Sequence, residues 1–376
     1  MADQPAGGNT KARLIDVGGV PPLTAQATYH GIADAMQPDD PPAVVLAGPE
    51  SGFVSVGACQ DVMREIDVQA CISLKMPLIR RETGGPALWL SADDLLVHVV
   101  LPRSRPEARS GVSGLYARFA EPFVATWNAF GLQAERGAWG GIMLDRYRVG
   151  GIQAGLVRDV VIVGGSLLVT FDADLLARRA SLPSEQLREQ IHETVREAVS
   201  RAQRPPARQG VREVILDRMA SALGWALEPS PLRDDELAAI ERRELQMADE
   251  EHIFQGGRRM ARAELRATGG VTMADLTYRG AGGQIRLRLL ERSGAIADIE
   301  ITGDLTCLPS DGLERLASRL VGLRRDAPDL AARIHGQMGL LGVELAGITA
   351  AELAIALRPP PPAPDPLAQL LRLARP

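Results

Sequence analysis

Lysine is almost absent, with Lys11 and Lys75 the only two among 42 basic residues. Chemistry that needs an ammonium as a compact point charge therefore has two candidates, because every other cation is a guanidinium, a planar fork. Cysteine is scarce as well. Cys59, Cys71 and Cys307 are an odd, scattered set without CxxC spacing. That excludes a disulfide framework or a cysteine zinc site and points to a reducing compartment. Aromatic residues make up 4% and no basic patch is interleaved with them. With a net charge of -5, a nucleic-acid surface built on bulk electrostatics is excluded. No apolar run reaches membrane-spanning length, and Met1 to Pro5 is not a basic segment followed by an apolar core. The expectation is a cytoplasmic protein without a membrane partner.

What is plentiful is apolar material and glycine. At 376 residues and 45% hydrophobic content, the chain suffices for a large domain plus a smaller one, or for two to three domains. Periodicity predicts helices at Thr24 to Met36, Asp67 to Lys75, Leu115 to Gly131, from Pro183 onward, Val211 to Leu223 and Asp234 to Met247. Apolar and β-branched runs predict strands at Ala43 to Ala47, Phe53 to Val56, Pro77 to Arg80, Leu95 to Leu101, Gly141 to Leu144, Gly150 to Ala154 and Val160 to Val169. A boundary is expected near Gly256-Gly257. Beyond it, Val271 to Tyr278, Gln284 to Glu291 and Ala295 to Thr302 read as strands joined at Gly282-Gly283 and Ser293-Gly294, then helices at Gly312 to Leu320 and Pro328 to Met338. The predicted division is 1–12 disordered, 13–255 a catalytic domain, 258–358 an accessory domain and 359–376 a proline-rich tail.

Two glycine stretches stand out. Arg80-Arg81-Glu82-Thr83-Gly84-Gly85-Pro86-Ala87 follows one apolar run, and Arg148-Val149-Gly150-Gly151-Ile152-Gln153-Ala154-Gly155 precedes another. Both read as strand-edge loops where missing Cβ atoms let a ligand approach the backbone. N–H groups beside a fixed arginine make a seat for a phosphate or carboxylate.

The first stretch resembles the Arg-Arg-x-Thr/Ser-Gly-Gly-Gly-Ala signature of lipoate–protein ligases. Its neighbours agree in order: Val54 to Gln60 resembles the upstream strand and Gly-x-x-Gln turn, Arg148 to Ile152 the Lys-Ile/Val-x-Gly-x element, and Gly165 to Leu168 the Gly-Thr/Asn-Leu-Leu strand. Ala295 to Leu305 resembles the Gly-x-Ile-x-Asp-Val-x-Ile-x-Gly-Asp-Phe hairpin of the accessory domain. The resemblance implies an α+β fold of the biotin/lipoate ligase type, similar to class II synthetases, with a mixed sheet flanked by helices and a small α+β accessory domain. It implies ATP-dependent activation of lipoate to an adenylate and transfer to a lysine of a lipoyl-domain carrier protein, with ATP and Mg²⁺ as substrates. By the same resemblance Arg81, Thr83, Gly84, Gly85, Ala87, Gly150, Gly151, Gln153 and Ser166 bind substrate or adenylate. Strands such as Leu95 to Leu101 and Val160 to Val169 would wall an apolar channel for the acyl tail.

The departures fall on the nucleotide side. The family lysine is Arg148, its Asn-Asp pair is Gly140-Gly141, its histidine is Leu90 and its third glycine is Pro86, which has no N–H. Arg148 keeps the charge but not the compact shape. Asp145 and Asp172 are candidate replacements for the lost carboxylate. Three functions stay open: a ligase that uses Arg148, a homologue that only binds a lipoyl or acyl group or the carrier domain, and an ATP-free acyltransferase with Cys59 as thioester nucleophile. His30 and His98 read as structural, and the aromatic stripe Phe119 to Phe130 as core.

Overall fold

The structure, a computed structural model, describes residues 10–137, 140–144, 147–169, 207–256, 271–280 and 282–358, with only the backbone at 147–149. The N-terminal part runs β1 (Thr10–Val20), α1 (Pro22–Ala35), β2 (Ala43–Pro49), β3 (Phe53–Val56), α2 (Val62–Glu65), α3 (Val68–Ser73), β4 (Leu78–Arg80), β5 (Leu88–Leu90), β6 (Leu95–Pro102) and α4 (Gly111–Ala129). It continues through β7 (Ala134–Arg136), β8 (Gly141–Leu144), β9 (Tyr147–Val157), β10 (Val160–Leu167), α5 (Arg208–Leu223), β11 (Trp225–Pro229), α6 (Asp234–Ala248) and α7 (Glu250–Ile253).

Eight of these strands form one mixed sheet in the order β11-β1-β2-β6-β10-β9-β8-β7. Strand β1 lies parallel to both β11 and β2, and the remaining pairs are antiparallel. Strand alternation sorts side chains between the two faces. Val97, Val99, Val161 and Val163 turn to one face, where Leu115, Phe119, Phe123 and Trp127 of α4 and Ile215 of α5 close the core. Val100, Ile162 and Val45 turn to the other, beneath Tyr29 and Ile32 of α1. Helix α6 covers α1 and is tied to β1 by a bidentate pair, Arg13 to the fully buried Glu236, at 2.5 and 2.9 Å.

A second, three-stranded sheet, β4-β3-β5, carries the first glycine stretch between β4 and β5. The C-terminal part is an antiparallel meander of β12 (Val271–Gly280), β13 (Gly283–Arg292) and β14 (Ala295–Gly303). After it come β15 (Cys307–Leu308), α8 (Gly312–Leu320), α9 (Leu330–Leu341), β16 (Glu344–Leu345) and α10 (Ala350–Leu357). Helix α8 buries Leu313, Leu316, Ala317 and Leu320, an i, i+3, i+4, i+7 stripe, against the meander residues Leu287 and Ile299. Cys59 of the N-terminal part completes that core.

The strand and helix expectations match observed elements, with ends shifted by a few residues. Two corrections arise. Strand β1 begins at Thr10, inside the stretch expected to be disordered, because its backbone is paired on both sides by β11 and β2. Helices α2, α7 and α10 and strands β5, β7, β11, β15 and β16 were not foreseen. The helix expected from Pro183, the candidate Asp172 and the proline-rich tail lie outside the described residues. Among the described residues no helix is long and apolar enough to cross a membrane.

Candidate functional site

Arg80 and Arg81 leave β4 on opposite sides, and both are 1% exposed. Arg80 donates to the carbonyls of Gly57, Ala58, Gln60 and Ile253 at 2.8–3.1 Å, clamping the 57–60 turn to the end of α7. Arg81 donates to the Ser55 carbonyl and hydroxyl and to the carbonyls of Gly84 and Pro86, at 2.7–3.1 Å. Burial lowers both guanidinium pKa values to about 10, which leaves them cationic at neutral pH. The Arg81 contacts with Gly84 and Pro86 give the loop its shape. The guanidinium expected to grip a phosphate is thus spent on backbone oxygens, and only Nε lacks a partner among the described residues.

The two glycine stretches come together. Gly84 N donates to Ala154 O at 3.0 Å, and a Cβ on Gly155 would lie 3.1 Å from the Thr83 methyl and from Glu82 O. Thr83 is fully buried with its hydroxyl beside the Tyr29 phenol. Ala87 packs against the small cluster around Val54 and Val56. Gly150 and Gly151 pair with Leu167 and Ser166 across β9 and β10, and Gln153 is 4% exposed. The Arg148 backbone lies on β9 opposite Met143, and Gly141 heads β8 opposite Gly151. Asp145 falls outside the described residues. Leu90 is core of the N-terminal part.

Sequence reasoning missed what seats on the loop. The segment joining β14 to β15 lies across it: Gly85 N donates to Leu305 O at 2.9 Å, and Tyr116 donates to the Thr306 hydroxyl at 2.5 Å. Glycine is required at 84, because a Cβ there would come within 2.4 Å of Thr306 Cα. Leu305 and Thr306 are buried. One amide of the expected anion seat is therefore answered by the sheet and another by the C-terminal part. The Ala295 to Leu305 stretch was legible in the sequence, whereas the place where its end lies was not. Beside it lies a cleft of about 310 Å³ lined by Cys59, Gln60, Glu82, Glu300, Asp311 and Glu314.

Under the loop sits a buried polar cluster that the sequence showed only as isolated letters. His30 Nε2 accepts from Glu82 N at 3.0 Å and its Nδ1 donates to Gln26 O at 2.8 Å. Burial lowers its pKa to about 3. Ser55 donates to Gln26, Gln26 to the Tyr29 phenol, and Tyr29 stacks on His98 with centroids 3.7 Å apart.

The model of the lipoyl protein ligase A/B catalytic domain matches residues 21–220, more than half of the chain. The chain belongs to that family. An octanoyltransferase LipM from Brevibacillus brevis is 25% identical over 228 residues, 54% of this chain and 82% of that protein. A lipoate-protein ligase A solved with ATP superposes with a TM-score of 0.55 at 18% identity, covering 65% of this chain and 98% of that one. Plasmodium falciparum LipL1, solved with lipoate, superposes with a TM-score of 0.60 at 11% identity over 84% of this chain and 92% of its own. These likenesses show the lipoate ligase fold.

All three cysteines of this family member are buried. Burial pushes the Cys59 thiol up to about 11 and the Cys307 thiol well above its usual value. A thiol in that environment is a poor nucleophile, because the thiolate is the reactive form. Among the described residues no three His, Cys, Asp or Glu side chains converge as a metal cage.

Proposed function

We propose that this chain joins lipoate, or a related acyl acid, to AMP and passes the acyl group to a lysine of a lipoyl-domain carrier protein. The observation that carries this reading is the burial of every thiol. An acyl group that cannot wait as a thioester on the protein needs another activated form, and a mixed anhydride with AMP supplies it. In the first step a carboxylate oxygen of the acid attacks the α-phosphorus of ATP and pyrophosphate leaves. In the second, the carrier amine attacks the acyl carbon and AMP departs as the amide forms.

The residues divide the work. Arg80 and Arg81 hold the glycine loop from behind, so its shape is set before substrate arrives. An oxygen of the acyl-phosphate takes the Gly85 N–H when the Leu305–Thr306 segment gives it up. Gly150, Gly151, Gln153 and Ser166 line the acyl side. Arg148, at the position that the family resemblance assigns to a lysine, balances the charge that grows as pyrophosphate leaves. Mg²⁺ arrives with the triphosphate, which is its main ligand, as is usual for this cation.

A second reading is octanoyl transfer from a carrier thioester directly to the acceptor lysine, favoured by the LipM relatives. One experiment separates the two. The protein is incubated with an apo lipoyl domain and either MgATP plus lipoate or octanoyl carrier thioester without ATP, and the intact mass of the lipoyl domain is followed. Mass gain in the first arm is expected. Gain only in the second arm replaces ligase with transferase, and gain in neither leaves a binding protein. Arg148→Ala should cut pyrophosphate exchange by about a hundredfold or more with Tm unchanged, a loss typical of removing one charge-stabilising group.

A further inference from the structure

Gln153 bridges the glycine loop and the histidine beneath it. Its Cβ lies 3.9 Å from where a Cβ would stand on Gly85, and its amide nitrogen is 3.4 Å from His98 Nε2. Gly164 is in register with both His98 and Gln153, and β6 approaches it so closely that a Cβ there would come within 2.2 Å of Val97 O and 2.5 Å of His98 Cα. Two residues along β10 on the same face, Ser166 lies opposite Gly151. Loop, Gln153, His98 and Ser166 thus share the face of the sheet on which an acyl chain would lie.

Beyond Val100 and Ile162 this face turns polar. His98 and Ser166 are both buried, and His98 Nδ1 and Ser166 Oγ have no hydrogen-bond partner among the described residues. Burial and the neighbouring His30 and Arg81 hold the His98 pKa well below its ordinary value, so the ring is neutral. When Nε2 accepts from the Gln153 amide, the ring proton sits on Nδ1 and becomes a donor with nothing to receive it. Buried polar atoms are nearly always answered, by protein, water or ligand. The stack on Tyr29 holds the ring so that it cannot turn toward water.

We infer that His98 and Ser166 select an acyl acid whose chain carries a neutral hydrogen-bond acceptor, such as a keto oxygen, over a plain alkyl or dithiolane tail. The inference rests on the acyl acid lying along this face with its carboxyl at the glycine loop, as in the proposed function. A site built to hydrogen-bond a substrate oxygen discriminates strongly against the analogue that lacks it.

The test uses the full-length protein and a series of probes: octanoate, lipoate, and 4-, 5-, 6- and 7-oxooctanoate. Calorimetry reads binding of each acid, and pyrophosphate exchange with MgATP reads its activation. At least one oxo acid is expected to bind tenfold or more tightly than octanoate and lipoate. His98→Phe keeps the ring stacked on Tyr29 and removes the N–H, and should erase that preference; Ser166→Ala, which removes one oxygen from a glycine-lined position, should reduce it. Octanoate or lipoate binding as well as the best oxo acid would overturn the inference and leave the ligase reading standing. A preference unchanged in both variants would also overturn it, since a bound water would then satisfy these groups. Preferential oxo-acid binding without exchange for any acid would retain this specificity and remove the ligase.

Discussion

Arg81 is the residue whose chemistry reverses between sequence and structure. Beside two glycines it reads as an anion clamp, yet its four hydrogen bonds end on Ser55, Gly84 and Pro86. Lysine in its place keeps the charge but has three donors on a flexible stem and cannot span that set. Arg81→Lys is therefore expected to lower stability by about 3 kcal/mol, the scale of breaking a buried charged network, and to lose activity with it. Calorimetric unfolding checks this; an unchanged Tm with lost activity would restore the phosphate contact. At β1, Arg13→Met strips the buried carboxylate of Glu236 of its bidentate partner and leaves it the Arg233 backbone N–H at 2.8 Å and the longer Arg233 guanidinium contact at 3.5 Å, and should also cost roughly 3 kcal/mol in urea unfolding. The motif letters around Arg80 to Ala87 were legible because they sit consecutively. The cluster of Gln26, Tyr29, Ser55, His98 and Gln153 was not, because its members come from four separate elements and each alone looks like a core residue.

Elements were legible where local periodicity decides them. Helix α8 and strand β3 have the predicted ends, since an apolar stripe or an apolar run flanked by glycine specifies both. Strand β1 was hidden because its burial comes from two parallel neighbours rather than from its own alternation. The Leu305–Thr306 segment was hidden for a related reason, as it has no regular structure and draws its order from the loop it covers. That contact has a measurable weak point in the Tyr116 hydroxyl. Tyr116→Phe removes one neutral hydrogen bond, worth about 1 kcal/mol, without emptying the ring's place in the core. The expected result is roughly fivefold faster amide exchange at Gly85 and a matching gain in affinity for a non-hydrolysable acyl-adenylate analogue. Unchanged exchange would mean that Thr306 does not hold the segment down.

At the scale of the molecule, the buried histidines set an acid limit. His30 is held at about 3 and His98 well below its ordinary value, so the folded protein keeps both neutral while the unfolded chain protonates them near pH 6.5. Below that pH the unfolded state binds more protons, so stability falls as pH falls, by about 1.4 kcal/mol per pH unit for each histidine; above it the two contribute no slope. Urea midpoints at pH 7.5, 6.0 and 5.0 should show a loss that begins below about 6.5, and His98→Phe should halve it. A flat profile across that window would contradict the burial of both rings.

The Gly85 amide has a wider consequence. It is a single donor that both the C-terminal part and a substrate oxygen would claim, so the two compete for it. By thermodynamic reciprocity, whatever loosens the grip of Leu305 tightens the ligand, and a tight ligand loosens the grip of Leu305. The apparent affinity is then the intrinsic affinity scaled by the fraction of molecules already open. Substrate occupancy would therefore be recorded in the protease sensitivity of the Leu305–Thr306 segment, and limited digestion could titrate the site without any assay of its chemistry.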